Sequence, residues 1–91
     1  VALDPACTQA YSGMGMALAA LGDAAGAEQS LREALRHDPK SVPSLVGLAG
    51  VLFNGGNTTE ARQLLESALK LQPDNRGAQD ALAKVNAAAA K

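Results

Sequence analysis

Pro5, Pro39 and Pro73 stand 34 residues apart, each inside a version of one short phrase: "VALDPAC", "LRHDPKS" and "LKLQPDN". A fixed interval of this length marks a stacked helical repeat. Each unit of such a chain is one small supersecondary element that can bury its apolar face only against its neighbours. The opening phrase reads as the end of a unit whose start is missing. The expectation is therefore an excerpt of a longer chain, or a processed one.

The residues between the prolines keep a helical rhythm. From Thr8 to Leu21, apolar side chains fall at Tyr11, Met14, Leu18 and Leu21, in steps of three and four. Gly22 suits a left-handed helix end and Asp23 a helix start. A second helix is expected over about Ala24–His37, with Ala27, Leu31, Ala34 and Leu35 inward, and Asp38-Pro39 ends it. The plan then repeats. Ser41 is a candidate N-cap, Pro43 falls in the first turn, and Leu45, Leu48 and Leu52 form the stripe of a helix over Ser41–Gly55. Gly55-Gly56 stop it, and Asn57 with Glu60 resembles a capping box. Ala61, Leu65, Ala68 and Leu69 carry a fourth helix to Leu71, and a fifth starts near Arg76, with Leu82 and Val85 on its stripe. No strand pattern competes.

Composition narrows the function classes. Ninety-one residues make one small domain. The chain is 47% hydrophobic, but Tyr11 and Phe53 are its only aromatics, so the core is mostly Ala and Leu and is thin. A net charge of −1 argues against a nucleic-acid footprint, which needs a basic stripe. The single cysteine, Cys7, excludes an intrachain disulfide and a multi-cysteine metal site. No signal peptide is legible at the start. The longest charge-free stretches, Pro5–Gly22 and Ser41–Thr59, are interrupted by Ser, Thr, Gly or Pro and are not apolar runs of membrane length. The compartment is left unknown.

The 34-residue unit resembles the tetratricopeptide repeat. In the first unit the family's slots hold Tyr11, Met14-Gly15, Leu18, Gly22-Asp23, Ala27, Leu31, Ala34 and Pro39. In the second they hold Leu45, Leu48-Ala49, Leu52, Gly56-Asn57, Ala61, Leu65, Ala68 and Pro73. The pattern departs from the family in lacking Trp and in placing Leu where aromatics are usual. The resemblance implies an all-α fold: a right-handed α-solenoid of antiparallel helix pairs closed by a C-terminal capping helix. Its expected divisions are a repeat tail at 1–7, units at 8–41 and 42–75, and the capping helix at 76–91.

Few residues invite chemistry. His37 occupies the slot of Leu3 and Leu71, which suggests a half-buried replacement for leucine. Cys7 has no evident activating base or cation. Gly13-Met14-Gly15 lies in a helical pattern with no preceding strand, so it is not a phosphate loop. Asn57-Thr58-Thr59 fits a glycosylation sequon, but helix capping explains it. No enzyme active site, metal or cofactor is expected.

The charges sit on the second helices, with Glu28–Arg32 and Glu66–Lys70 in the favourable order, and on the last helix as Asp80–Lys84. The first helices of the two units carry none, which points to burial or to an interface. The resemblance implies that first helices line a groove for a peptide or partner helix. Carried over by slot, that groove presents Gln9, Ser12, Gly13, Met16 and Ala20, then Val46, Gly47, Gly50, Phe53 and Asn54, then Asp80 and Lys84. The family's carboxylate-clamping variety uses Lys, Arg and Asn in these slots; here most are small or apolar, against that partner. The leading expectation is a non-enzymatic protein-binding module with a protein or peptide partner, neither binding nucleic acid nor inserting into membrane. The alternatives are an architectural segment that self-associates as a homo-oligomer, and an accessory repeat region of a larger enzyme.

Overall fold

The computed structural model describes the backbone of residues 5–89. Residues 1–4 of the repeat tail expected at 1–7, and the last two residues of the expected terminal segment, lie outside it. Five helices follow one another: α1 (Pro5–Ala20), α2 (Ala24–His37), α3 (Val42–Asn54), α4 (Thr58–Leu71) and α5 (Arg76–Ala89). The first begins three residues ahead of the expected Thr8. Proline is welcome there, because its fixed φ suits the first turn and its missing N–H would be unpaired anyway. Pro39 and Pro73 do not start helices, since each lies in a turn directly after one.

Both tight turns use the same device. Gly22 and Gly56 adopt φ of +88° and +93°, a conformation that costs a residue with a Cβ about 1–2 kcal/mol. The reversed chain lets the Asp23 N–H donate to the Leu18 carbonyl at 2.8 Å, and the Asn57 N–H to that of Leu52 at 2.8 Å. The same residues then open the next helix. Asp23 Oδ1 accepts from the Gly26 N–H at 2.9 Å, and Asn57 Oδ1 from the Glu60 N–H at 3.3 Å. Glu60 answers Asn57 through the side-chain amide, at 3.2 Å, because the Asn57 backbone N–H is already taken. Ser41 holds the N-cap position of α3, but its hydroxyl turns to Ser44 Oγ at 2.8 Å rather than to the backbone. Asn75, which the sequence reading passed over, caps α5 through the Ala78 N–H at 2.8 Å.

The helices form two layers. α1, α3 and α5 lie side by side, with α1 on α3 and α3 on α5, while α2 and α4 pack behind them. The shortest overall dimension, 19 Å, is that of two helices stacked. Between the layers, Ala27, Leu31, Ala34, Leu45, Leu48, Ala49, Leu52, Ala61, Leu65 and Ala68 are buried, with Ala78 and Val85 closing the core from α5. Small residues permit close approach. A Cβ at Gly15 would sit 2.5 Å from Leu31 Cγ and 3.2 Å from the Ala27 carbonyl oxygen.

The inward stripe expected of α1 is corrected at two places. Met14 is 50% exposed and Leu21 82%. Gly15, one residue on from Met14, is what faces α2, and Leu21 lies beyond the helix end, in the turn. α1 is also an edge helix, with only α2 and α3 against it among the described residues. At the other edge, Gln79 and Asn86 occupy the positions of Leu45 and Leu52 and are exposed. α5 thus shows solvent the side that α3 turns to α4.

Candidate functional site

The layer of first helices carries the expected groove residues, but it does not gather them equally. α1 and α3 contain no Asp, Glu, Lys or Arg, so their surface is neutral. On α1, Gln9, Gly13, Met16 and Ala20 are exposed. Ser12 is not: it is buried against α3, its hydroxyl 2.9 Å from Ser44 Oγ. Small side chains at the contact bring α1 and α3 together there. Met16 reaches across to α3, where its Cε would lie 3.5 Å from a Cβ built at Gly47. Val46, Gly47, Gly50 and Phe53 are half-buried along α3, and Asn54 is exposed.

Between α3 and α5 the surface opens into a cleft of about 370 Å³. Gly50, Phe53 and Asn54 form one side, and Asp80 and Lys84 stand on the other. Five of the twelve expected residues therefore meet around one cavity, and the other seven lie along α1 and the adjoining part of α3. Ala49, Leu65, Gly77, Ala81 and Val85 complete the lining. The sequence reading had given Leu65 and Val85 to the core and had not singled out Gly77 or Ala81. Helical spacing was the available signal: Gly77, Ala81 and Val85 continue the face that carries Asp80 and Lys84. Because Gly50 and Gly77 lack side chains, the two helix backbones are reachable at the mouth.

The electrostatics divide between the two layers. Behind the groove, Arg32 pairs with Glu28 at 3.0 Å and with Glu60 at 3.1 Å, tying α2 to α4. These bonds, first Glu60 and then Glu28, hold the guanidinium above its ordinary pKa. Glu33 pairs with Arg36 at 2.8 Å and lies 3.7 Å from His37 Nε2. The His37 ring is half-buried and stacks on Tyr11, with centroids 5.6 Å apart and planes 10° from parallel. Its surroundings are thus those of a packed side chain at the α1–α2 contact. In the cleft, Asp80 and Lys84 are one turn apart on α5 yet close no ion pair, and neither do Glu66 and Lys70 on α4. Both cleft charges are exposed. Among the described residues, no group of three or more His, Cys, Asp or Glu is placed to hold a metal, and no helix is long and apolar enough to cross a membrane.

Comparison with known proteins agrees with this architecture. A family model described as "Tetratricopeptide repeat" matches residues 2–85. "Protein CTR9 homolog" of Arabidopsis thaliana is 39% identical over 63 residues, which are 69% of this chain and 6% of that protein's length. The chain is thus similar to a small part of that curated relative. A solved structure described as "First TPR of Spaghetti (RPAP3) bound to HSP90 peptide SRMEEVD" superposes with a TM-score of 0.90 at 24% identity, over 97% of this chain and 70% of that one. At that identity the likeness is one of fold. A second, described as "Molecular features of the UNC-45 chaperone critical for binding and folding muscle myosin", gives a TM-score of 0.84 at 28% identity, over 94% of this chain and 10% of that one.

Proposed function

The chain belongs to the tetratricopeptide repeat family, and from that premise we propose that it is a protein-binding module whose first-helix layer holds a peptide or a partner helix. The observation that carries this reading is the α3–α5 cleft. It has an apolar floor, glycine-opened walls, an aromatic side at Phe53 and a polar rim of Asn54, Asp80 and Lys84. Such a site buries an apolar anchor and orients it through a few polar contacts. The reading is supported by the solved relative, which is described with a peptide bound. Met16 and Gly47 extend the neutral surface beyond the cleft toward α1, giving an extended ligand more to lie on.

The test compares two neighbours on α3. Leu52 is 5% exposed in the core, whereas Phe53 is half-buried and lines the cleft. Peptides are selected from a displayed library on the immobilised wild-type chain and re-measured on variants. Phe53→Ala is expected to weaken the selected ligands by about 2 kcal/mol, the scale of a hot-spot truncation. Its loss of stability should be smaller than that of Leu52→Ala, about 2–5 kcal/mol. Selected ligands that bind Phe53→Ala as tightly as wild type would place the binding surface elsewhere.

A second reading has its own observation. Met14 and Leu21 are exposed on the edge helix and its following turn, which favours self-association through α1. Sedimentation velocity over a concentration series separates the two. If the wild type dimerises and Met14→Glu/Leu21→Glu does not, the edge is an assembly surface.

A further inference from the structure

Among the described residues, Asp80 and Lys84 are the only acidic or basic side chains lining the α3–α5 cleft, and α1 and α3 contribute none. The charge selectivity of the cleft among these residues therefore rests on this one pair. Neither member is spent on the protein itself, since neither lies in an ion pair. The two signs also oppose each other. An acidic segment gains from Lys84 what it loses to Asp80, and a basic segment does the reverse. A segment that pairs with both must carry one charge of each sign.

Their spacing restricts the shape of that segment. Four residues along α5 put the two charges about 6 Å apart along its axis. A second helix laid beside α5 offers side chains at the same pitch four residues apart; an extended chain would match it two residues apart, but its intervening side chain would then point away from the cleft. If it runs antiparallel to α5, its chain passes Lys84 before Asp80, and the complementary order is acid first, base four residues later. That order also supports the partner's own helix. The apolar floor at Phe53, Leu65 and Val85 takes the side chain between the two charges.

Resting on the groove reading above, the geometry points to a specific ligand class. It is an amphipathic helix lying antiparallel to α5, with an apolar residue in the cleft, flanked by Glu or Asp at Lys84 and by Lys or Arg at Asp80. The site discriminates against uniformly acidic and uniformly basic peptides and reads the order of the two charges.

Two hydrocarbon-stapled alanine-based helices of identical composition serve as probes. One carries Glu four residues before Lys, the other Lys four residues before Glu, each with a leucine between them. Affinities are read by fluorescence anisotropy at low salt. Wild type should favour the Glu-first probe by about fivefold, as two exposed ion pairs allow, and the preference should fade in high salt. The charge-exchanged variant Asp80→Lys/Lys84→Asp should favour the Lys-first probe instead; both positions are solvent-exposed, and circular dichroism checks that it is folded. Equal affinity for the two probes, or a preference that the exchange does not invert, overturns the charge rule while leaving the groove reading intact. Failure of wild type to bind either probe at millimolar concentration also overturns it, and the groove reading then stands or falls by the Phe53→Ala experiment alone.

Discussion

Ser12 Oγ lies 2.9 Å from Ser44 Oγ, across the buried contact between α1 and α3, and Ser44 also meets Ser41 Oγ at 2.8 Å. Ser44 is fully buried and Ser12 and Ser41 nearly so, so water is a poor substitute for these bonds. Ser44→Ala removes the middle of this chain and strands the other two hydroxyls. It should cost about 1–3 kcal/mol by urea unfolding, the desolvation penalty of unpaired groups. Ser12→Val/Ser44→Ala should recover part of that loss, because it removes one of the two stranded hydroxyls and copies the next unit, where Val46 and Ala78 fill the equivalent positions. A Ser44→Ala variant within about 0.5 kcal/mol of wild type would mean that the hydroxyls are idle.

Thr8 heads the same face of α1. It is 5% exposed, and its Oγ1 has no hydrogen-bond partner among the described residues. Thirty-four residues on, Val42 occupies the slot and is buried. Thr8→Val keeps the shape and removes the orphaned hydroxyl, and is expected to stabilise the fold by about 1 kcal/mol. A lower melting temperature would show that Oγ1 is bonded in solution.

Two glycines of α1 should answer alanine with opposite signs. At Gly13 an added Cβ meets nothing within 4 Å, so Gly13→Ala should stabilise the helix by about 0.5–1 kcal/mol. At Gly15 it would press on Leu31 and on the Ala27 backbone. That overpacking, about 1–3 kcal/mol, should exceed the propensity gain. Thermal melts of the two variants on either side of wild type would bear this out; equal shifts would not.

Arg32 bridges the second helices, but its side chain is 44% exposed. Solvent screening holds such pairs to about 1 kcal/mol or less. Arg32→Met should cost no more than that at low salt, and the difference should shrink in 1 M salt, where the screening length is only about 3 Å. Because the folded state raises the pKa of Arg32, its contribution is complete below the ordinary arginine range and is lost only as pH rises through the folded value. Stability measured from neutral pH toward the lysine range should show no loss from this residue.

The repeat period made α2 and α4 legible almost to the residue, because proline, glycine and cap residues mark their ends, and it placed the start of α5 at Arg76. α1 was harder. Met14 satisfies a three-and-four stripe by spacing, but spacing does not say which of two adjacent residues points inward. Gly15 settles that only once Leu31 is seen against it. Ser12 meets the same limit: a small polar residue on a first helix suits an open groove and a close helix contact equally well, and only the structure sets Ser44 opposite it. The cleft charges were readable because α5 is the one first-layer helix that carries any. Leu65 and Val85 were not recognised as cleft lining because a core residue can also form a floor.

Asp23 and Asn57 each finish one helix through a backbone N–H and begin the next through a side-chain oxygen. Inserting one residue at either point would separate those two duties and leave one helix end unclosed. Deleting one would take away the left-handed glycine or the cap itself. Such a joint has no slack in which length variation can accumulate. A chain built this way is free to drift in side chains, on its surface above all, but it can change length harmlessly only between pairs or by gaining and losing a pair outright. The equal intervals from Pro5 to Pro39 and from Pro39 to Pro73 are what such joints allow, each spanning one corner with no residue added or removed.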